Sequence, residues 1–263
     1  MDVRAKKALG QHFLTDQKIA RAIVDATGSG PLLEVGPGMG VLTKYLLERD
    51  DVDLKLVEID GESVEYLLTH FQGMQGRLVE ADFLSLPLER LFPGKFNVIG
   101  NFPYNISSQI FFKILDYKDS VPEVVCMIQK EVAERIAEPP GTKTYGILSV
   151  FLQAWYDIEY LFSVGPGCFV PPPKVQSAVI RLRRNSRTEL GCDEKLFKTV
   201  VKSSFGQRRK TLRNSLKPLI EAKAGREGWT EEQSAAFKGL PVFELRPEKL
   251  SVEEFVSLTV LLG

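Results

Sequence analysis

The chain has 263 residues, 44% of them hydrophobic and 26% charged. That is enough for one sizeable core with a smaller appended domain, and it excludes disordered and fibrous classes. No apolar run approaches the roughly 20 residues of a membrane span. The opening stretch "MDVRAKKALGQHFL" is basic but lacks the apolar centre of a signal peptide, so a cytoplasmic protein is expected. The formal net charge of zero hides an uneven distribution. Residues 174–217 carry 13 Lys and Arg against 3 Asp and Glu, and residues 1–22 carry 5 against 2. The pattern reads as a basic face set against an acidic body, although a solvated surface without a partner has the same composition.

The elements follow in chain order. From Leu32 to about Leu182, apolar runs alternate with helix-like segments: "PLLEVG", "LKLVEID", "RLVEAD", "FNVIGN", "EVVCMIQ" and "SAVIRLR". Their continuous apolarity suits strands covered on both faces. Between them, "GVLTKYLLERD", "ESVEYLLTHF", "SSQIFFKILDY" and "KEVAERIAE" repeat apolar residues at spacings of three and four. The pattern predicts an α/β fold, a doubly wound Rossmann-like sheet, over 1–185, in which 1–22 is an N-terminal segment. After Asn185 only helical patterns remain, "EKLFKTVVKSSF", "QRRKTLRNSLKPLI", "TEEQSAAF" and "SVEEFVSLTVLL", which predicts a small all-helical domain over 186–263. Ser251 followed by Glu254 is a capping-box signal for the last of them. Cys126, Cys168 and Cys192 lie far apart, so neither a disulfide framework nor a metal site is indicated.

The first strand runs into "EVGPGMG", with Gly36, Gly38 and Gly40 on a turn that opens a helix. Glycines there allow a tight turn and let a ligand approach backbone N–H groups. A dinucleotide site would want its third glycine at position 41, which is Val41; the G-x-G-x-G spacing is that of S-adenosylmethionine-dependent methyltransferases. Two later strands end in acids. Glu58, 20 residues after Gly38, is placed to accept hydrogen bonds from ribose hydroxyls, and Asp82 from an adenine amino group, with Phe83 against the ring. Each also reads as an ordinary surface acid or core aromatic when taken singly.

The fourth strand ends in Asn101-Phe102-Pro103-Tyr104, where ligands gather in open α/β sheets. The tetrapeptide resembles the motif of methyltransferases that act on planar nitrogens, above all the exocyclic amino group of adenine. That nitrogen is a poor nucleophile because its lone pair is delocalised into the ring. The Asn101 side-chain oxygen and the Phe102 carbonyl can each accept one amino hydrogen, turning the lone pair toward the methyl donor. Pro103 fixes the backbone, and Tyr104 offers a face for a base that has left its stack. By itself the tetrapeptide is equally a turn built of good turn residues.

Nearly end to end, the chain resembles the ribosomal RNA adenine dimethyltransferases, most closely the small-subunit type. The stretches that carry the resemblance include "GQHFLTD", "LEVGPGMGVLT", "NFPYNISSQI", "FVPPPKVQSAVIRL" and "FGQRRKTLRNSLK". The resemblance implies S-adenosylmethionine as methyl donor, no metal, and dimethylation of N6 of two adjacent adenines near the 3′ end of small-subunit RNA during late subunit assembly. It further implies that the N-terminal segment covers the cofactor, with contacts from Gln11, His12 and Leu14 as well as Gly36, Gly38, Glu58, Asp82, Phe83 and Asn101. Phe169 matches an aromatic that faces Tyr104 across the target base. Phe102 stands where the family more often has Leu, and His12 where Asn is frequent.

For RNA, "QRRKTLRNSLK" supplies Arg208, Arg209, Lys210, Arg213 and Lys217, with Lys6 and Lys7 adding to the basic face. On one helix, Arg209, Arg213 and Lys217 fall at i, i+4 and i+8, beside a stripe of Leu212 and Leu216. Such contacts position RNA without reading its sequence. Two rival readings remain open at this point: the large-subunit enzyme of macrolide resistance, and a non-catalytic RNA or assembly factor on the same fold. A monomer is expected.

Overall fold

The computed structural model describes Val3, Ala5, Lys6 and residues 9–263; Lys7 lies outside the described residues. In chain order the elements are β1 (Phe13–Leu14), α1 (Gln17–Asp25), β2 (Gly30–Val35), α2 (Thr43–Leu46), β3 (Val52–Glu58), α3 (Gly61–His70) and β4 (Leu78–Glu80). Then come β5 (Asn97–Asn101), α4 (Ser107–Asp116), β6 (Glu123–Gln129), α5 (Lys130–Ala137), α6 (Ile147–Gln153), β7 (Tyr156–Val164), β8 (Phe169–Val170) and β9 (Ser177–Arg184). The last helices are α7 (Glu194–Gly206), α8 (Leu212–Ser215), α9 (Lys217–Glu227), α10 (Glu231–Lys238) and α11 (Val252–Leu262).

The chain divides into two compact units. The first holds Met1–Glu134 and Tyr156–Arg184. Its sheet has the order β4-β3-β2-β5-β6-β9-β7, and β9 runs antiparallel to both of its neighbours. Strands β4, β3, β2, β5 and β6 are parallel. β5 and β6 are buried along almost their whole length, because helices cover both faces of a doubly wound sheet, and this produces the continuous apolar runs. The order reverses between β2 and β5, whose registers pair Glu34 with Ile99. Carboxyl ends of strands diverge at such a reversal and leave a crevice. A separate ribbon pairs β1 with β8, Phe13 opposite Val170 and Leu14 opposite Phe169. At the start of α1, the Asp16 side chain accepts from the N–H groups of Lys18 and Ile19, and Ala20, Ile23 and Val24 form its buried face.

The second unit holds Arg135–Trp155 and Asn185–Gly263. The sequence reading assigned 135–155 to the sheet domain; the structure groups it with the C-terminal helices. The reason is packing: α6 buries Leu148, Val150, Phe151 and Leu152, and the Phe151 ring lies 6.0 Å from that of Phe197 on α7. The Ser251 capping box forms, Ser251 N donating to Glu254 Oε2 at 2.7 Å and Glu254 N to Ser251 Oγ at 3.2 Å. The single helix expected over 207–220 does not. α7 ends at Gly206, and the N–H of Leu212 goes to the carbonyl of Leu245 at 2.8 Å. Pro218, at the start of α9, has no N–H with which to continue a helix from α8. Leu212 and Leu216 are nevertheless fully buried. Among the described residues no helix is long and apolar enough to cross a membrane.

Candidate functional site

A cavity of about 320 Å³ opens at the carboxyl ends of the parallel strands. Its walls are the turn after β2, the ends of β3 and β5, the loop after β4 and the N-terminal residues 9–14. Of the residues that the sequence assigned to a cofactor or to a target base, Gln11, His12, Leu14, Gly36, Gly38, Glu58, Asp82, Phe83, Asn101, Phe102, Pro103 and Tyr104 all line it. Phe169 does not.

The glycine turn supplies the floor. Gly36 has φ 67°, and a Cβ placed there would meet no protein atom within 4 Å, which leaves room for a ligand at the backbone. Gly38 has φ 55°, and its N–H donates to Glu58 Oε2 at 3.0 Å. Glu58 Oε1 accepts from the N–H groups of Ile59 and Asp60, both at 2.9 Å. Burial pushes the Glu58 carboxyl above the usual carboxylate range, and the N–H groups of Asp60, Gly38 and Ile59 oppose that shift. Three donors leave one of its lone-pair positions for a hydroxyl ligand. Asp82 Oδ1 accepts from Leu84 N at 2.9 Å, and Phe83 beside it is 5% exposed. The geometry, an open glycine turn beside a buried acid and a second acid next to an aromatic, fits an adenosine bearing a charged tail.

The N-terminal segment forms the cover. Gln11 Nε2 donates to Asp60 Oδ2 at 3.0 Å, and its Oε1 accepts from Lys6 N at 2.8 Å. The Lys6 ammonium sits 2.5 Å from Asp60 and 3.1 Å from Glu62. Burial raises the Asp60 carboxyl, but hydrogen bonds from Gln11 and Lys6 outweigh it, and the group lies below its ordinary range. Asp60 is an anchor that the sequence motifs do not single out. Its signal was its place as N-cap of α3, where it also accepts from Glu62 N. Lys6, assigned to RNA from sequence, spends its charge on this clamp.

At the reacting end, Asn101 Nδ2 donates to the His12 carbonyl at 3.0 Å. A flipped amide would set two oxygens against each other, so the bond fixes Oδ1 as the atom left to accept. Phe102 N donates to Met127 O at 3.0 Å, and its carbonyl accepts no hydrogen bond among the described residues. The Phe102 ring is fully buried, edge-on to Phe111 at 5.8 Å. Tyr104 is half-buried; its hydroxyl lies 2.5 Å from Ser177 Oγ, and its ring stacks on His12, centroids 5.4 Å apart at 28°. The expectation that Phe169 faces Tyr104 is corrected here. Pairing with β1 alternates the side chains of β8, so Phe169 turns into the core, 2% exposed, while Val170 is 60% exposed. The ring on Tyr104 is that of His12, held by its Nδ1 against the Pro171 carbonyl at 2.8 Å.

The basic residues divide. Arg209, Lys210 and Lys217 are exposed, and Lys217 is only loosely paired with Glu221 at 3.7 Å. Arg213 is spent within its own unit, on Glu244 and on the Lys238 carbonyl at 3.1 Å. Arg208 donates to the Thr142 carbonyl at 3.4 Å and lies 4.0 Å from Glu248. Among the described residues no cluster of three His, Cys, Asp or Glu side chains is arranged to hold a metal ion.

Fold and site together define a class I methyltransferase, an enzyme whose methyl donor is S-adenosylmethionine. The sequence profile of the family described as "Ribosomal RNA adenine dimethylase" matches residues 3–232. A "Ribosomal RNA small subunit methyltransferase A" of Parabacteroides distasonis is 60% identical over 262 residues, spanning 98% of this chain and 94% of that protein. Its namesake in Cytophaga hutchinsonii is 54% identical over 265 residues, 99% and 98% of the two chains. Among solved structures, a dimethyladenosine transferase from Plasmodium falciparum superposes with a TM-score of 0.76 over 94% of this chain and 96% of its own, at 22% identity. The 23S rRNA methyltransferase ErmE gives 0.63 over 95% and 99%, at 27% identity. The chain belongs to the ribosomal RNA adenine dimethylase family and is an S-adenosylmethionine-dependent adenine dimethyltransferase.

Proposed function

We propose that the protein dimethylates N6 of two adjacent adenines near the 3′ end of small-subunit ribosomal RNA during subunit assembly, working as a monomer in the cytoplasm. The observation that carries this reading is the pair of free acceptors at the end of β5, Asn101 Oδ1 and the Phe102 carbonyl, inside the cavity that also holds Glu58 and Asp82. The small-subunit choice is supported by the names of relatives that match over nearly the full chain.

S-adenosylmethionine, when bound, supplies an electrophilic methyl group on a sulfonium sulfur. Glu58 receives a ribose hydroxyl, Asp82 the adenine amino group and Phe83 the adenine ring, while residues 9–14 exclude water from above. In the first transfer Asn101 Oδ1 and the Phe102 carbonyl each accept one N6 hydrogen of the target, and in the second one of them accepts the hydrogen that remains, so the lone pair points along the line of displacement. Tyr104 holds the base by stacking. With Asn rather than Asp at position 101 the motif itself supplies no strong base, and the proton leaves to water after transfer. Arg209, Lys210 and Lys217 reach phosphates and fix the position of the RNA, not its sequence.

Labelled S-adenosylmethionine incubated separately with unmethylated small subunits and with large-subunit RNA tests the reading. The expected result is N6,N6-dimethyladenosine in two adjacent positions of the small-subunit RNA. Labelling confined to large-subunit RNA would contradict the substrate, and no labelling of either would contradict the activity.

A further inference from the structure

We propose that Ser177 is a positioning residue for the reaction, acting through Tyr104; the inference rests on the reading of Tyr104 as the base-stacking residue. Ser177 opens β9, has no exposed surface, and lies in a strand whose next three residues, Ala178, Val179 and Ile180, are all buried apolar side chains. A hydroxyl at such a place costs stability unless it is paired. Among the described residues its one side-chain partner is the Tyr104 hydroxyl, at 2.5 Å.

The bond joins two parts of the chain that are 73 residues apart. Ser177 is fixed by the sheet, its backbone in register with Gln129 on β6 and Val164 on β7. Tyr104 lies in the turn between β5 and α4 and has no sheet neighbour of its own. A tyrosine ring turns freely about its χ2 axis over a broad range, and stacking on His12 restrains one face only. The hydroxyl oxygen lies on that axis, so its bond fixes the direction of the axis and with it the place of the ring, while the His12 stack limits rotation of the plane. With both contacts the plane offered to a base is set before the base arrives. Binding then loses less freedom, and the N6 nitrogen meets Asn101 in a fixed relation. Misplacement of a reacting group by about 1 Å can cost a hundredfold in rate, so a contact outside the cavity lining can govern the chemistry inside it.

The test is a double-mutant cycle on intact protein with unmethylated small subunits and labelled S-adenosylmethionine. Ser177→Ala is expected to lower kcat/KM for the RNA by roughly 3- to 10-fold, the value of one neutral hydrogen bond, and to leave the dissociation constant for S-adenosylmethionine unchanged. Tyr104→Phe is expected to lower it by the same factor, the double variant no further, and Ser177→Thr, which keeps the hydroxyl, to recover most of the loss. An intact cofactor constant shows that the variants fold. A Ser177→Ala loss that persists undiminished in the Tyr104→Phe background would overturn the proposal, since it would mark a role in the strand alone. So would wild-type kinetics in Ser177→Ala while Tyr104→Ala is inactive, an outcome that leaves the stacking role of Tyr104 standing. Full activity in Tyr104→Ala would remove both.

Discussion

Replacing Asp60 by Asn perturbs the clamp that holds the N-terminal cover over the cavity. The carboxylate accepts from Gln11 Nε2 at 3.0 Å, from Ser63 Oγ at 3.2 Å and from the Lys6 ammonium, and it caps α3 through Glu62 N. Asparagine is itself a good N-cap, so the helix is spared. What is lost is charge on the acceptor and one of its two oxygens, with a new NH₂ facing donors. The Gln11 bond is charge-assisted, worth about 1.5–3 kcal/mol, while the solvent-facing Lys6 contact adds little. Since one oxygen survives, the net loss is about 1–2 kcal/mol, or roughly 5- to 30-fold in the dissociation constant for S-adenosylmethionine. Titration calorimetry with S-adenosylmethionine measures it directly, and the melting temperature serves as control. A cofactor constant unchanged in Asp60→Asn, with the protein folded, would refute the idea that this clamp holds the cover shut.

Three further outcomes follow from the same geometry. Burial pushes the Glu34 carboxyl from its ordinary value of 4.5 up to about 8, opposed by the hydroxyl of Thr43 at 2.7 Å. Between those pH values the folded chain holds a proton that the unfolded chain has released, so stability falls as pH rises through that window, by at most about 1.4 kcal/mol per unit; urea unfolding at successive pH values should show this slope flattened in Glu34→Gln. Phe169→Ala should cost about 3–5 kcal/mol of stability, as a core deletion does, seen as a lower urea midpoint, with cofactor affinity retained in the folded fraction. Arg209→Ala should weaken RNA binding and reduce its salt dependence by about one phosphate contact, whereas Arg213→Ala should lower the melting temperature and leave the salt slope as it is.

The glycine turn, both strand-end acids and the Asn101–Tyr104 stretch were legible in the sequence because each pairs a residue type with a strand end, a local relation. β7 was not, because it lies at the sheet edge and alternates charged Asp157 and Glu159 with apolar neighbours, whereas the strands recognised are continuously apolar. The helix break at 207–211 depends on Leu245 taking the Leu212 N–H, a partner over 30 residues away. Lys6, Arg208 and Arg213 read as free cations in a list of residues, and only their placement shows them held by acids or carbonyls. Phe169 was misassigned for a related reason. Which way a side chain turns in a two-residue strand is set by its pairing with β1, not by the residues beside it.

The central claim is that Asn101 and the Phe102 carbonyl orient an adenine amino group toward the methyl donor. Single-turnover transfer from labelled S-adenosylmethionine to unmethylated small subunits by Asn101→Ala tests it most directly, with the cofactor constant measured in parallel. The account predicts a fall in the transfer rate of roughly a hundredfold or more, as when a directed hydrogen-bonding group is removed from an active site, with only a modest change in cofactor binding. Transfer at the wild-type rate would contradict it.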